Sequence, residues 1–128
     1  MSPLWFVACT GGGPDTAAPP VTYAPVIRSV DRLACVTDPR AGEVWELALT
    51  ATDPQGAATL ATATVAVRTE AGNELARYPF ACDGGACAGT FRADYDGVGC
   101  ALEGTVAFVF TVTDATGQVS AAETVSPW

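Results

Sequence analysis

Two kinds of residue in this chain have types and spacing that could do chemistry: its five cysteines and its carboxylates. Cys9 stands alone in Phe6-Val7-Ala8-Cys9, while Cys35, Cys82, Cys87 and Cys100 lie further on, among runs of β-forming residues. Four thiols can pair completely and one is left over, which suits an oxidising compartment and gives the first cysteine a separate job. Among the acids, Asp94 and Asp96 stand two apart in Asp94-Tyr95-Asp96-Gly97, a spacing that puts both on one face of a strand. The Asp-Gly step favours a turn there, and Glu43 and Glu46 read as a solvated strand start. A hydrolase that works through carboxylates alone needs a cleft with perturbed acids, and the pattern points to none.

Missing residue types narrow the chemistry further. The chain has 128 residues and neither histidine nor lysine, so Ser-His-Asp and Cys-His catalysis, Schiff bases and histidine-ligated metals are closed to it. It is expected to be no enzyme and to need no cofactor. The formal charge is −8, and the six cations (Arg28, Arg32, Arg40, Arg68, Arg77, Arg92) are scattered arginines. No basic stripe is available to neutralise phosphates, so nucleic acid is not an expected partner. The length suits one domain with a sizeable core, and the Ala-, Gly-, Pro- and Val-rich composition suits a GC-rich bacterial gene.

The elements that must hold these residues read as strands throughout. Stretches rich in β-branched and aromatic residues alternate with turn signals, giving strands near 21–30, 44–52, 61–69, 74–81, 88–95, 105–113 and 118–125. The inward faces are expected to be Trp45, Leu47, Leu49 and Ala51; Ala63, Val65 and Val67; Phe91, Ala93 and Tyr95; Val106, Phe108, Phe110 and Val112; and Val119, Ala121 and Val125. Pro25 marks the first strand as an edge. Seven strands over residues 21–128 predict an all-β, Greek-key sandwich, following a disordered N-terminal tether.

In such a sandwich alternate loops share a pole. Cys35 and Cys100 then fall at one end, expected to be the tether-proximal one, and Cys82 and Cys87 flank a turn at the other. A strand of seven residues spans roughly 23 Å, whereas a disulfide needs Cα atoms within about 7 Å. The expected pairs are therefore Cys35–Cys100 and Cys82–Cys87, since loop-closure entropy does not separate the possible pairings. Four free thiols or a zinc site are the alternatives, but only Cys82 and Cys87 have a suitable ligand spacing. The distal pole also collects Asp53, Asp83 and Asp114.

Leu4-Trp5-Phe6-Val7-Ala8-Cys9 resembles the end of a bacterial lipoprotein signal peptide, with Val7, Ala8 and Cys9 fitting the lipobox and Phe6 in place of its usual leucine. That resemblance implies lipidation of Cys9, with residues 1–8 a truncated signal-like segment and Met1 an internal start. Otherwise Cys9 is a free thiol in a flexible tail. Residues 9–20 follow as a Gly/Pro-rich tether. Thr50-Ala51-Thr52-Asp53-Pro54-Gln55-Gly56 and Val112-Thr113-Asp114-Ala115-Thr116-Gly117-Gln118 resemble strand ends and turns of bacterial immunoglobulin-like and cadherin-like domains. The resemblance departs from antibody domains, because the central strands lack a cysteine pair and Val98 replaces the corner tyrosine.

Together these resemblances imply a membrane-anchored, extracytoplasmic module of the bacterial cell envelope, structural or adhesive, with a protein or glycan partner. The alternative is a secreted binding or inhibitory domain that presents the stapled loop between Cys82 and Cys87. Cadherin-like domains hold Ca²⁺ through loop carboxylates, which makes Asp53, Asp83 and Asp114 a weak calcium candidate. Calcium takes about six to eight oxygen ligands, more than three separated aspartates supply.

Overall fold

The computed structural model of the chain describes residues 23–93 and 97–128. Cys9, the tether and the pair Asp94/Asp96 lie outside the described residues. Seven strands form one antiparallel sheet: β1 (Val26–Asp38), β2 (Gly42–Thr52), β3 (Leu60–Arg68), β4 (Glu74–Asp83), β5 (Ala86–Arg92), β6 (Ala107–Asp114) and β7 (Glu123–Val125). Short 3-10 turns cover Ala57–Thr59 and Cys100–Leu102. The strand order is β1-β2-β5-β4-β3-β6-β7.

Pairing along the sheet is uneven. β2 is in register with β5 from Val44↔Arg92 to Thr50↔Ala86, and β3 with β4 from Thr62↔Ala81 to Arg68↔Glu74. β4 and β5 pair only at Cys82↔Cys87 and Asp83↔Ala86, beside their connecting turn. Beyond that seam the two strands part, and the sheet turns over on itself. Trp45 on β2 therefore packs against Phe108 on β6, four places away in strand order, with ring centroids 4.8 Å apart. Phe91 on β5 stacks on Tyr78 of β4 at 3.8 Å, and Phe80 meets Phe110 edge-on at 6.4 Å. These rings fill the core with favoured offset and edge contacts.

Alternation decides which side chains point inward. Trp45, Leu47, Leu49 and Ala51 of β2 are buried, as are Ala63, Val65 and Val67 of β3. Phe91, Ala93, Val106, Phe108, Phe110 and Val112 join them. Gly89 lies on this inner face for a packing reason. A Cβ there would sit 2.6 Å from Phe80 Cβ, so the absent side chain is what seats that ring.

Both edge strands differ from expectation. The first strand runs over Val26–Asp38, later and longer than 21–30, with Pro25 buried just before it. Its register against β2 slips twice, between Ile27 and Ser29 and between Val30 and Arg32, and these irregularities blur its period of two. Cys35 consequently lies inside a strand, opposite Trp45, and not in a loop. At the other edge β7 keeps only three residues, and Val119 and Val125 are 53% and 38% exposed, not inward. Val119 makes a single bridge to Thr113, and Ala121 is exposed too. β7 is short and ends the sheet, so few neighbouring side chains cover its apolar residues.

Candidate functional site

At one end of the sheet, Cys35 bonds to Cys100 across a sequence separation of 65, with Cα atoms 5.4 Å apart. Three further contacts fix the segment that carries Cys100. The Trp45 indole Nε1 donates to the Val98 carbonyl at 2.7 Å, and both residues are fully buried. The Cys100 N–H, at the start of its 3-10 turn, donates to Glu43 Oε1 at 2.9 Å. Gly99 lets that carboxylate come close, since a Cβ there would lie 2.8 Å from Glu43 Oε1. Burying the indole N–H without a partner would be costly, so Val98 and Trp45 specify each other. Glu43 and Val98 are thus positioning residues for the bridge.

Towards the other end, Cys82 and Cys87 face each other directly in register and are bonded, with Cα atoms 3.9 Å apart. Gly84 turns the chain at φ 62°, a region open to glycine at little cost. Gly85 returns its carbonyl to the Ala51 N–H at 2.8 Å, and a Cβ on it would meet Ala51 O at 2.9 Å. The tip thus presents only Asp83, two glycines and Ala86. Both bonded pairs are the pairs that loop geometry favours.

The end they face does not match expectation. Val26 at the start of β1 pairs with Thr52 at the end of β2, and the Gln55 side-chain amide bonds both Tyr23 N and Tyr23 O at 3.2 Å. An antiparallel strand begins beside its partner's end. The chain leading into β1 therefore arrives at the Asp53 end, and Cys35–Cys100 lies at the end remote from it.

The three candidate aspartates are divided. Asp53 and Asp114 are only 7% and 3% exposed, whereas Asp83 is exposed. Asp53 Oδ1 accepts the Gln55 N–H at 2.9 Å and faces the Gln55 amide nitrogen as well. Asp114 Oδ1 accepts from Thr116 N (2.9 Å), Thr116 Oγ1 (2.7 Å) and Gln118 N (2.9 Å). The Thr116 hydroxyl does most to hold the Asp114 carboxyl below the usual carboxylate range. Burial opposes it, and the two backbone N–H groups and Asp53 add to the lowering. Among the described residues no group of three or more Cys, Asp or Glu side chains is disposed to hold a metal ion. Asp83 therefore does not complete a calcium site with the other two.

Sequence reasoning missed the Ser120 side chain, buried beside this end. Its N–H donates to Val112 O at 2.8 Å and its hydroxyl accepts the Val112 N–H at 2.9 Å, standing in for a strand's backbone pairing. A hollow of about 250 Å³ opens at the remote end between the two edge strands, walled by Leu33, Trp45, Val106, Phe108, Val125 and Pro127. No helix among the described residues is long and apolar enough to cross a membrane. The sequence matches no known protein-family model and no curated protein.

Proposed function

We propose that this chain is an extracytoplasmic module of the bacterial cell envelope, held to a membrane by lipid on Cys9. Its role is structural or adhesive, towards a protein or glycan partner. The observation that carries this reading is the use of cysteine: two bridges consume Cys35, Cys82, Cys87 and Cys100, and leave Cys9 alone in its lipobox-like setting. Disulfides persist in oxidising compartments, and stable attachment by lipid takes more than one acyl chain, as lipoprotein processing supplies. The fold is read as an immunoglobulin-like Greek-key sandwich. Strand order supports that in part. The seam divides the strands into β1-β2-β5 and β4-β3-β6-β7. This groups the first, second and fifth strands and the third, sixth and seventh as the two sheets of a constant-type domain do, while β4 pairs with β3 and so departs from that type.

Expression of the natural gene in a bacterial host tests the anchor. The expected result is a diacylglyceryl-modified Cys9 by mass spectrometry and release of a Cys9→Ser variant from the membrane fraction. Unchanged sedimentation of that variant overturns the anchor. Alkylation of all five cysteines without reductant overturns the oxidising compartment.

A further inference from the structure

The chain enters the sheet at the Asp53 end, and backbone hydrogen bonds lace the connections of that end together. The Gln55 amide holds Tyr23, the Ala115 N–H donates to Thr59 O at 2.8 Å, and the Ala51 N–H donates to Gly85 O at 2.8 Å. The entering chain, the β2–β3 connection, the β4–β5 turn and the turn after β6 therefore share one end of the molecule.

Charge separates this end from the remote one. At the remote end Asp38, Arg40, Glu70, Glu74, Arg92 and Glu103 are all exposed. At the Asp53 end the exposed charges among the described residues are Arg28 and Asp83, of opposite sign. Asp53 and Asp114 are buried, each with Oδ1 turned to N–H groups of its own turn. The exposed tips are small and neutral instead: Pro54, Ala57, Ala58, Ala86, Ala115 and Thr116. Tyr23, Val26 and Val119 add apolar surface there, at 58%, 43% and 53% exposed. Leu75 and Val125 are exposed at the remote end too, but beside the Glu74–Arg77 ion pair and Glu103.

The boundary between lipid headgroups and acyl chains accepts apolar and neutral polar groups and penalises unpaired charge. Tyrosine suits that boundary, with an apolar ring and a wet hydroxyl. We propose that the Asp53 end seats on a phospholipid surface, with Tyr23, Val26 and Val119 at the headgroup boundary. This rests on the anchor at Cys9. The segment joining Cys9 to Tyr23 reaches at most about 50 Å when fully extended, so an anchored membrane meets this end first. The 11 residues of β2 set the two ends roughly 35 Å apart, several screening lengths at physiological salt. The remote charges are thus kept clear of the lipid. Counting the buried Asp53 and Asp114, the formal balance of the docking end is acidic, so the surface it fits is zwitterionic and not anionic.

The test couples the full chain through Cys9, the thiol that the two bridges leave over, to phosphatidylcholine vesicles carrying a maleimide lipid. Backbone hydrogen exchange is read by mass spectrometry against the same chain capped at Cys9 with N-ethylmaleimide and free of vesicles. Exchange over residues 54–58 and 115–119 should slow about tenfold, as for an end docked about nine-tenths of the time. Exchange over residues 39–41 and 70–73, at the remote end, should not change. Val119→Glu should abolish the slowing and Leu75→Glu should leave it intact. Replacing about half of the lipid by phosphatidylglycerol should weaken it. Unchanged exchange at the Asp53 end overturns the proposal, as does slowing at the remote end. The coupling is chemical, so these failures and a failure of natural lipidation at Cys9 are read separately. Slowing that grows with protein concentration in the vesicle-free chain assigns the surface to a second copy and overturns the proposal too.

Discussion

The two disulfides hold the molecule by different means. Cys35–Cys100 joins residues far apart in sequence and is surrounded by a buried indole, a buried valine carbonyl and a half-buried carboxylate. Cys82–Cys87 joins neighbours across a two-glycine turn, where register alone already brings them together. Chain entropy separates them: the long loop is worth about 4 kcal/mol and the short one about 2. The long bridge fixes a segment that has little regular structure of its own. The short one closes the place where β4 and β5 pair through their backbones.

Truncating Trp45 should cost most. Trp45→Ala removes a fully buried side chain and orphans the Val98 carbonyl, for a loss of about 5 kcal/mol in urea unfolding. A loss below about 2 kcal/mol would show that the remote end is held by its bridge alone. Next, Cys35→Ala with Cys100→Ala should lower stability by about 4 kcal/mol, and Cys82→Ala with Cys87→Ala by about 2, measured on separately purified double variants. Equal losses would erase the contrast between the ends.

Gly89→Ala probes the seam without touching sulfur. Its methyl would overlap Phe80, so a cost of about 1–3 kcal/mol is expected, with the Cys82–Cys87 bridge still forming by mass analysis. The smallest effect is at acid pH. Hydrogen bonds from Thr50 and Ser29 hold Asp31 low, the Ala41 and Arg40 N–H groups hold Asp38 low, and Arg77 does so for Glu74. Folded values below unfolded ones give stability that is present above about pH 4 and lost as pH falls through the folded values. Asp38→Asn should shift the acid midpoint slightly, and no shift would make that turn irrelevant to the comparison.

Strong alternation made the centre of the fold legible in the sequence. The β2 face Trp45/Leu47/Leu49/Ala51 and the β6 face Phe108/Phe110/Val112 are packed from one side only, so each second residue is apolar. The edges lacked that signal. β1 carries two register shifts and many half-exposed residues, and β7 has an open side. The cysteine pairs were legible because sheet ends are far apart compared with the reach of sulfur. The buried aspartates were half legible: turn chemistry marked Asp53 and Asp114 as loop residues, but nothing local told them from exposed Asp83. Val98 and Glu43 act through neighbours distant in sequence, and such contacts leave no local period to read.

The bond between Cys35 and Cys100 also sets how the chain answers a pulling force. Load applied at the two termini passes along β1 to Cys35, crosses the sulfur bridge and leaves through Cys100. The intervening chain, a separation of 65 residues, is bypassed and cannot lengthen while the bridge stands. At about 3.4 Å per extended residue, roughly 220 Å of contour length is locked away from extension. Only the stretches before Cys35 and after Cys100 can peel, and these include both edge strands of the sheet. A domain stretched in this way gives a little at its rims and keeps β2 to β5 intact.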